Sequence, residues 1–491
     1  MTRPRALLVL LMAAACSPSP RSANTPAPAI AITHVNVIDV TGGPTRRDVT
    51  VIVRGNRIAA LTAADSVVAP TDAAVVDGRG KYLIPGLWDM HVHAAWPEMA
   101  DPLGELFVAN GVTGVREMWG DPDVIRDWRA RVAARDGRHP RIVAAGNLVD
   151  GPEPVWPTSI RVRDANEARK IVQSLTRDGA DFIKVYSHLP RDAYFAIADE
   201  SKRQRIPFAG HVTIAVTAAE ASDAGQRSIE HLTGVALGCS SIEPALVQEV
   251  ARMIGSRGWA AASILERAAG ALIDSAYDEG RCQALAQRFV RNETWQVPTL
   301  TVRYNLTHLD DSALQSDPRI RYVPAFVRQR WADRAEGLDR SPAREAAQQA
   351  QYRREVAIVG LLFRAGVPIL AGTDELNPYC LPGFRLHDEL ARLVDAGLTP
   401  LAALQTATIN PARFLHATDS LGTVEVGKVA DLVLVDGDPL TDIHSVTRIA
   451  AVVANGQLID GAMRERLLND AAGASGPAPR RPVTPLRRRR P

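Results

Sequence analysis

Between residues 84 and 418 short apolar runs alternate with helical stretches, and eight such runs can be counted. They are the stretch ending at His93 and the segments 112–118, 141–146, 181–186, 206–211, 228–231, 296–302 and 367–374. Short apolar runs with helices between them call for parallel strands joined by crossovers. One helix is explicit, because Ala168, Ile171, Val172 and Leu175 fall on a single face of the segment 166–176. Eight units are the number that closes a (β/α)8 barrel, a fold whose chemistry sits at the C-terminal ends of its strands. The expected fold class is therefore α/β, with a TIM barrel at its centre.

On either side of this region the pattern changes to alternating β sequence. Val49, Val51 and Val53 precede Gly55-Asn56, and Val75-Val76 ends at Asp77-Gly78; matching strands return only at 431–435 and 450–454. Neither half has enough strands to bury a sheet alone. The two are expected to pair as one small β-sandwich, 30–83 with 419–465, into which the barrel 84–418 is inserted.

The remaining segments read as export and tether sequences. Residues 1–16 carry Arg3, Arg5 and an apolar run over 6–15, far short of the roughly 20 residues needed to span a bilayer. Ala13-Ala14-Ala15-Cys16 resembles a lipoprotein cleavage box with Cys16 as the lipid-bearing first residue, and plain cleavage after Ala15 is the alternative. Either way the mature protein is expected to be exported, periplasmic or anchored to a membrane. Residues 17–29 read as a linker and 466–491 as a disordered basic tail. The formal net charge of +2 gives no field for nucleic acid, and 46% hydrophobic content suits a large core. Besides Cys16 there are only Cys239, Cys282 and Cys380, which make no disulfide framework, although an exported protein permits a bridge.

The strand ends carry the chemistry. His91 and His93 stand at i and i+2, so on a strand both imidazoles point to one side. Lys184 lies near the end of the fourth run, and His211 closes the fifth, His231 the sixth and Asp374 the eighth. Singly, each has an ordinary explanation as a surface charge, a hydrogen-bonded core histidine or a turn cap. Together, four histidines, a lysine and a carboxylate on one rim are an improbable accident, and a histidine pair fixed on a strand end supplies two of the nitrogens a divalent ion needs.

The motifs Pro85-Gly86-Leu87-Trp88-Asp89-Met90-His91-Val92-His93, Asn110-Gly111-Val112-Thr113-Gly114-Val115-Arg116, Gly179-Ala180-Asp181-Phe182-Ile183-Lys184, Ala209-Gly210-His211-Val212, Ile229-Glu230-His231, Gly372-Thr373-Asp374 and Leu421-Gly422-Thr423-Val424-Glu425-Val426-Gly427-Lys428 stand in this order. In them the chain resembles the amidohydrolase superfamily, in particular its imidazolonepropionase-like and Xaa-Pro dipeptidase-like branch. The resemblance implies two divalent metal ions, zinc foremost, one held by His91, His93 and Asp374 and the other by His211 and His231. It implies that Lys184 lies between them as a carbamate formed with carbon dioxide. It further implies cleavage of an amide or peptide bond in a dipeptide, Xaa-Pro-like or N-acyl amino acid substrate by a metal-bridging hydroxide, with Asp374 as general base assisted by His231.

Three alternatives share the scaffold: a lactonase or esterase, a one-metal deaminase, and a non-catalytic binding relative. The deaminases lack the bridging lysine and often place a Glu soon after the strand-five histidine, where this chain has Val212, Thr213 and Ile214. Arg116, Trp156, Tyr186, His188 and Tyr304 lie at or beyond strand ends and are the candidate substrate contacts, although ion-pairing competes for Arg116 and shoulder packing for Trp156. Helical insertions are expected over 237–293 and 310–352, as a lid or as a contact in a homo-oligomer.

Overall fold

The computed structural model describes residues 29–336 and 341–474. The segment expected to direct export, with Cys16, the stretch up to residue 28 expected to be a linker, and the arginine-rich end lie outside the described residues. Five strands open the described chain: β1 (Ile30–Val37), β2 (Arg46–Arg54), β3 (Arg57–Ala63), β4 (Ala74–Asp77) and β5 (Lys81–Pro85). The central region supplies β6 (Leu87–Val92), β7 (Val112–Glu117), β8 (Arg141–Ala144), the two-residue β9 (Val149–Asp150) and β10 (Ile160–Arg161), then β11 (Ile183–Val185), β12 (Phe208–Gly210), β13 (Ser228–Glu230) and β14 (Trp295–Val297). Three strands return near the C-terminus: β15 (Leu432–Asp436), β16 (Ile449–Ala454) and β17 (Gln457–Ile459).

The two chain ends do pair. β5 runs antiparallel to β15 from Lys81↔Asp436 to Pro85↔Leu432, giving one eight-stranded sheet ordered β17-β16-β15-β5-β1-β2-β3 with β4 beside β1. This sheet folds back on itself, because the Ile58 N–H donates to the Lys428 carbonyl at 2.9 Å and the Gly427 N–H donates to the Ile58 carbonyl at 2.8 Å. The fold encloses Ile32, Val37, Val51, Leu83, Leu432 and Val453 as its own core. The C-terminal piece is longer than the sequence suggested. Gly461–Ala474 is a helix, with Leu467 and Ala471 buried one turn apart and the Arg464 Nε donating to the Ala109 carbonyl at 2.6 Å. A disordered tail from 466 is therefore corrected: ordered chain runs on to Ala474.

The central strands are all parallel and form two ladders, β6-β7-β8 and β10-β9-β11-β12-β13-β14. The ladders do not merge into one continuous closed sheet; single backbone bonds join them. Asp181 N–H donates to the Ala144 carbonyl at 2.9 Å between β8 and β11. On the other side the eighth run, 367–374, is not a strand and makes one bridge, Ile369 to Gln296. It still lies between its neighbours, since Leu370 N–H reaches the Gln296 carbonyl and Met90 N–H the Ala371 carbonyl, each at 2.9 Å. A Cβ on Gly372 would stand 2.7 Å from Val297 and 2.9 Å from the His91 Cβ, so glycine is what lets this segment close so tightly. The seventh run is shorter than expected. It ends at Val297 because Pro298 has no ladder donor, and Leu300–Thr307 continues as a helix.

Both expected insertions are helical. The first contains Glu243–Arg257, Trp259–Ala268, Gly270–Ser275 and Glu279–Arg291; the second contains Ala325–Glu336 and Pro342–Arg364. None of the described helices is long and apolar enough to cross a membrane. A disulfide joins Cys239 to Cys282 across the first insertion, with Cys380 buried and free. The sequence reading had no pairing for these cysteines.

Two measurements follow from the fold. The Cys239–Cys282 bridge spans 43 residues, so Cys239→Ser with Cys282→Ser is expected to lower unfolding stability by about 2–4 kcal/mol; an unchanged urea midpoint would show that the bridge does not restrain the chain. His387 is buried, its Nε2 pairs with the Asn110 carbonyl at 2.9 Å, and burial holds its pKa down to about 4. The unfolded chain takes up that proton below about pH 6.5 while the native protein does not, so stability is lost as pH falls from about 6.5 to about 4, by roughly 3 kcal/mol. In His387→Asn the stability–pH slope over this window should flatten relative to the parent; an identical slope would contradict the assignment.

Candidate metal centre

The residues singled out at the strand ends converge. His91 is on β6 and His93 immediately beyond it; their Nε2 atoms lie 3.5 and 3.0 Å from Asp374 Oδ1. These three residues offer ligand atoms all within 4.8 Å of one another, spacing that suits one ion. His231 Nε2 stands 3.8 Å from Asp374 Oδ2. Its ring centroid is 4.6 Å from that of His91 and 5.0 Å from that of His211. Lys184, on β11, is 1% exposed, and its Nζ has no hydrogen-bond partner among the described residues; the same holds for His91 Nε2. Buried polar atoms are normally satisfied. Two unsatisfied ones in the same floor, a lone pair and an amine, fit a cation and its anionic bridge.

Three of the four imidazoles are oriented from behind. His91 Nδ1 donates to Glu230 Oε2 at 2.8 Å, which fixes Nε2 as the ligating atom. His211 Nδ1 meets Ser187 Oγ at 2.9 Å and His231 Nδ1 meets Thr299 Oγ1 at 2.7 Å. Glu230 is itself held by Arg116, whose Nη2 is 2.9 Å from both carboxylate oxygens, and by Ser228 Oγ at 2.5 Å. Ser228 and Glu230 point into the barrel as alternate residues of β13. His231 then reaches the same site because its backbone turns left-handed, with φ 57°. Asp374 does the same with φ 52°, a conformation that costs a non-glycine residue about 1–2 kcal/mol.

Burial sets the protonation states. It pushes the His91 and His211 imidazoles well below their ordinary values and His231 to about 4, so all three are neutral, ligand-ready bases near pH 7. Burial also lowers the Lys184 ammonium to about 8, against the opposing charges of Glu230 and Asp374. For Asp374 burial works the other way, but His231, His91 and His93 outweigh it and hold the carboxyl below the usual carboxylate range.

The candidate substrate contacts divide. Tyr186 stacks on His211 with centroids 4.0 Å apart, and its hydroxyl accepts from Trp156 Nε1 at 3.0 Å. Two others are corrected. Arg116 is fully buried, bound to Glu230, Ser228 and the Met90 carbonyl, and belongs to the barrel floor. His188 is buried with both ring nitrogens engaged, Nδ1 by the Glu153 carbonyl at 2.6 Å and Nε2 by Ser263 Oγ at 2.7 Å. Tyr304 packs among His308, Tyr352 and Arg392. The sequence reading missed Trp96 and Trp119. Trp119 lies 6.4 Å from His93, 5.3 Å from Trp96 and 5.7 Å from Trp156, ring to ring. Aromatic residues just past the first two strand ends were the available signal.

With this geometry in view, relatives are informative. Residues 338–459 match the Amidohydrolase family model. Short stretches resemble curated enzymes: 47% identity over 74 residues with imidazolonepropionase of Pyrobaculum arsenaticum, 15% of this chain and 18% of that one. Adenine deaminase 2 of Jannaschia sp. is 42% identical over 61 residues, 12% of this chain and 10% of that one. The matched stretches thus span only 10% to 24% of such curated relatives. Whole-chain similarity is structural. A bottromycin amidohydrolase superposes with TM-score 0.69 and 26% identity over 91% of each chain. A Xaa-Pro dipeptidase with bound methionine superposes with TM-score 0.64 and 20% identity over 88% of this chain and 100% of that one, which bears on the fold alone. The family match over residues 338–459, the fold and the converging strand-end ligands together support the amidohydrolase superfamily.

Proposed function

We propose that the protein is a metal-dependent hydrolase of a carbon–nitrogen bond, acting on a dipeptide or N-acyl amino acid. The observation that carries this reading is the cluster of His91, His93 and Asp374 beside a buried, unpartnered Lys184. His91, His93 and Asp374 would hold one divalent ion, His211 and His231 a second, and Lys184 as its carbamate would bridge them. Bound there, zinc or a similar ion supplies Lewis acidity toward the scissile carbonyl and toward a water.

The chain's own groups account for the remaining steps. With a pKa near 8, about a tenth of Lys184 is neutral at pH 7, against well under 0.1% for an ordinary lysine. The neutral amine can add carbon dioxide: an N–C bond forms, one amine proton leaves to solvent, and an anion replaces a cation. Asp374, held ionised by its histidines, has Oδ1 toward His91 and His93 and Oδ2 toward His231. It accepts the proton of the attacking water and returns it to the departing nitrogen, with His231 placed to assist. His91, oriented by Glu230, stays neutral through the cycle.

A one-metal deaminase is the second reading, favoured by the compactness of the three-residue group and by the short deaminase matches. Lys184 in the floor favours the first. We place the protein outside the cytoplasm, exported through residues 1–16 and anchored at Cys16; a buried disulfide suits an oxidising compartment.

Lys184→Ala tests the bridge. The variant is expected to lose nearly all activity on a panel of dipeptides and N-acyl amino acids, with partial, saturable rescue by formate or acetate that an Asp374→Ala control does not show. Lys184→Arg should fail as well, since a guanidinium stays protonated and neither takes up carbon dioxide nor ligates a metal. Near-normal turnover in Lys184→Ala would remove the lysine from the mechanism, and activity confined to lactones would overturn the substrate class.

A further inference from the structure

The two sides of the barrel mouth differ in chemistry. From His93 to His211 runs an arc of aromatic rings: Trp119 beside His93, Trp156 beside Trp119, and Tyr186 joined to Trp156 and stacked on His211. Trp96 stands against Trp119 at a right angle, centroids 5.3 Å apart. Trp119 and Trp156 have their indole N–H groups engaged, by Asn147 Oδ1 at 2.8 Å and by the Tyr186 hydroxyl, so the ring faces are what they offer to a ligand.

Beyond β14 the chemistry is cationic. Thr299, which orients His231, starts a helix, and Arg303 follows one turn later, its N–H on the Thr299 carbonyl at 3.3 Å. Arg303 is in the first turns after Thr299, in the segment whose N-cap hydroxyl is bound to His231. Its charge acts on both His231 and Asp374. Glu355 grips one edge of the guanidinium, Oε2 at 2.9 Å from Nε and Oε1 at 2.7 Å from Nη2, and is itself braced by Gln351 Nε2 at 3.0 Å. Nη1 makes no hydrogen bond to a protein group among the described residues, and the side chain is 28% exposed. An arginine fixed along one edge with a free N–H pair on the other is prepared for a carboxylate.

We propose that Arg303 anchors the free α-carboxylate of the leaving amino acid while Trp119 and its neighbours take a flat aromatic acyl group, so that the substrate class is N-aroyl amino acids. The inference rests on the amide-hydrolysis reading and adds orientation to it. The scissile carbonyl lies over the histidine cluster, the amine side toward β14 and the acyl side toward the tryptophans.

The test uses the metal-loaded full chain with N-benzoyl-L-leucine, N-benzoyl-L-leucinamide and N-acetyl-L-leucine, following release of benzoate or leucine. Expected is a preference in kcat/KM of at least tenfold for the benzoylated acid over its carboxamide, carried in KM. That preference should collapse in Arg303→Gln and survive in part in Arg303→Lys. A preference for benzoyl over acetyl should fall several-fold in Trp119→Ala. Equal hydrolysis of acid and carboxamide by the parent enzyme overturns the anchor while leaving amide hydrolysis standing, and equal hydrolysis of benzoyl and acetyl substrates overturns the aromatic end. If no amide is cleaved, the amidase reading fails, and calorimetry with L-leucine and L-leucinamide still decides the anchor. Tighter binding of leucine that Arg303→Gln removes upholds it; equal binding, or Arg303→Gln binding like the parent, overturns it. Should Arg303→Gln not fold, the parent preferences and Arg303→Lys decide the same question.

Discussion

The barrel mouth depends on one buried carboxylate. Glu230 is fully enclosed and takes contacts from three strands: Arg116 of β7, Ser228 of its own β13 and His91 of β6. Arg116 also donates to the Met90 carbonyl at 2.7 Å, so strands on opposite sides of the ring are tied through one ion pair. Burying such charges is expensive, and losing one partner typically costs about 3–5 kcal/mol because the other is left unpaired. The pair is worth that exposure to risk because it fixes the tautomer and direction of His91. A loosely held imidazole would present its lone pair to the site only part of the time.

The strand ends show a second constraint. Ladder hydrogen bonding favours extended backbone, yet the site needs side chains from consecutive positions to face one point. The chain resolves this by leaving the ladder just where the chemistry begins: His231, Thr299 and Asp374 all have left-handed backbone, with φ of 57°, 50° and 52°. The eighth segment is held by a few bonds to Gln296 and β6 instead of a full ladder. Its regularity is given up so that Gly372 can bring it against His91. The folded sheet made from both chain ends braces the opposite side, because β5 passes into β6 through Gly86, whose N–H is bound to the Asp431 carbonyl at 2.7 Å.

What could be read from the sequence followed from periodicity and spacing. The alternation of Val49, Val51 and Val53 and the return of strand pattern at 431–435 led to the pairing of β1, β2, β5 and β15. The HxH pair, Lys184, His211, His231 and Asp374 could be placed on one rim because strand ends in a barrel share a face. What escaped was anything set by contacts between distant segments. Arg116 and His188 have the side chains of ligand contacts, and only the packed structure shows their donors already used by Glu230 and by Glu153 and Ser263. Cys239 and Cys282 pair across a helical insertion whose path the sequence does not give. Leu467 and Ala471 were legible as an i, i+4 pair, but the arginine-rich end beyond them drew the boundary too early.

The central claim is that this rim holds two divalent ions bridged through Lys184, and metal stoichiometry tests it most directly. Elemental analysis of fully active, exhaustively dialysed protein should give about two ions per chain, with activity lost on chelation and recovered with zinc or manganese. A fully active sample carrying one ion per chain or fewer would contradict the account and return the site to single-metal chemistry.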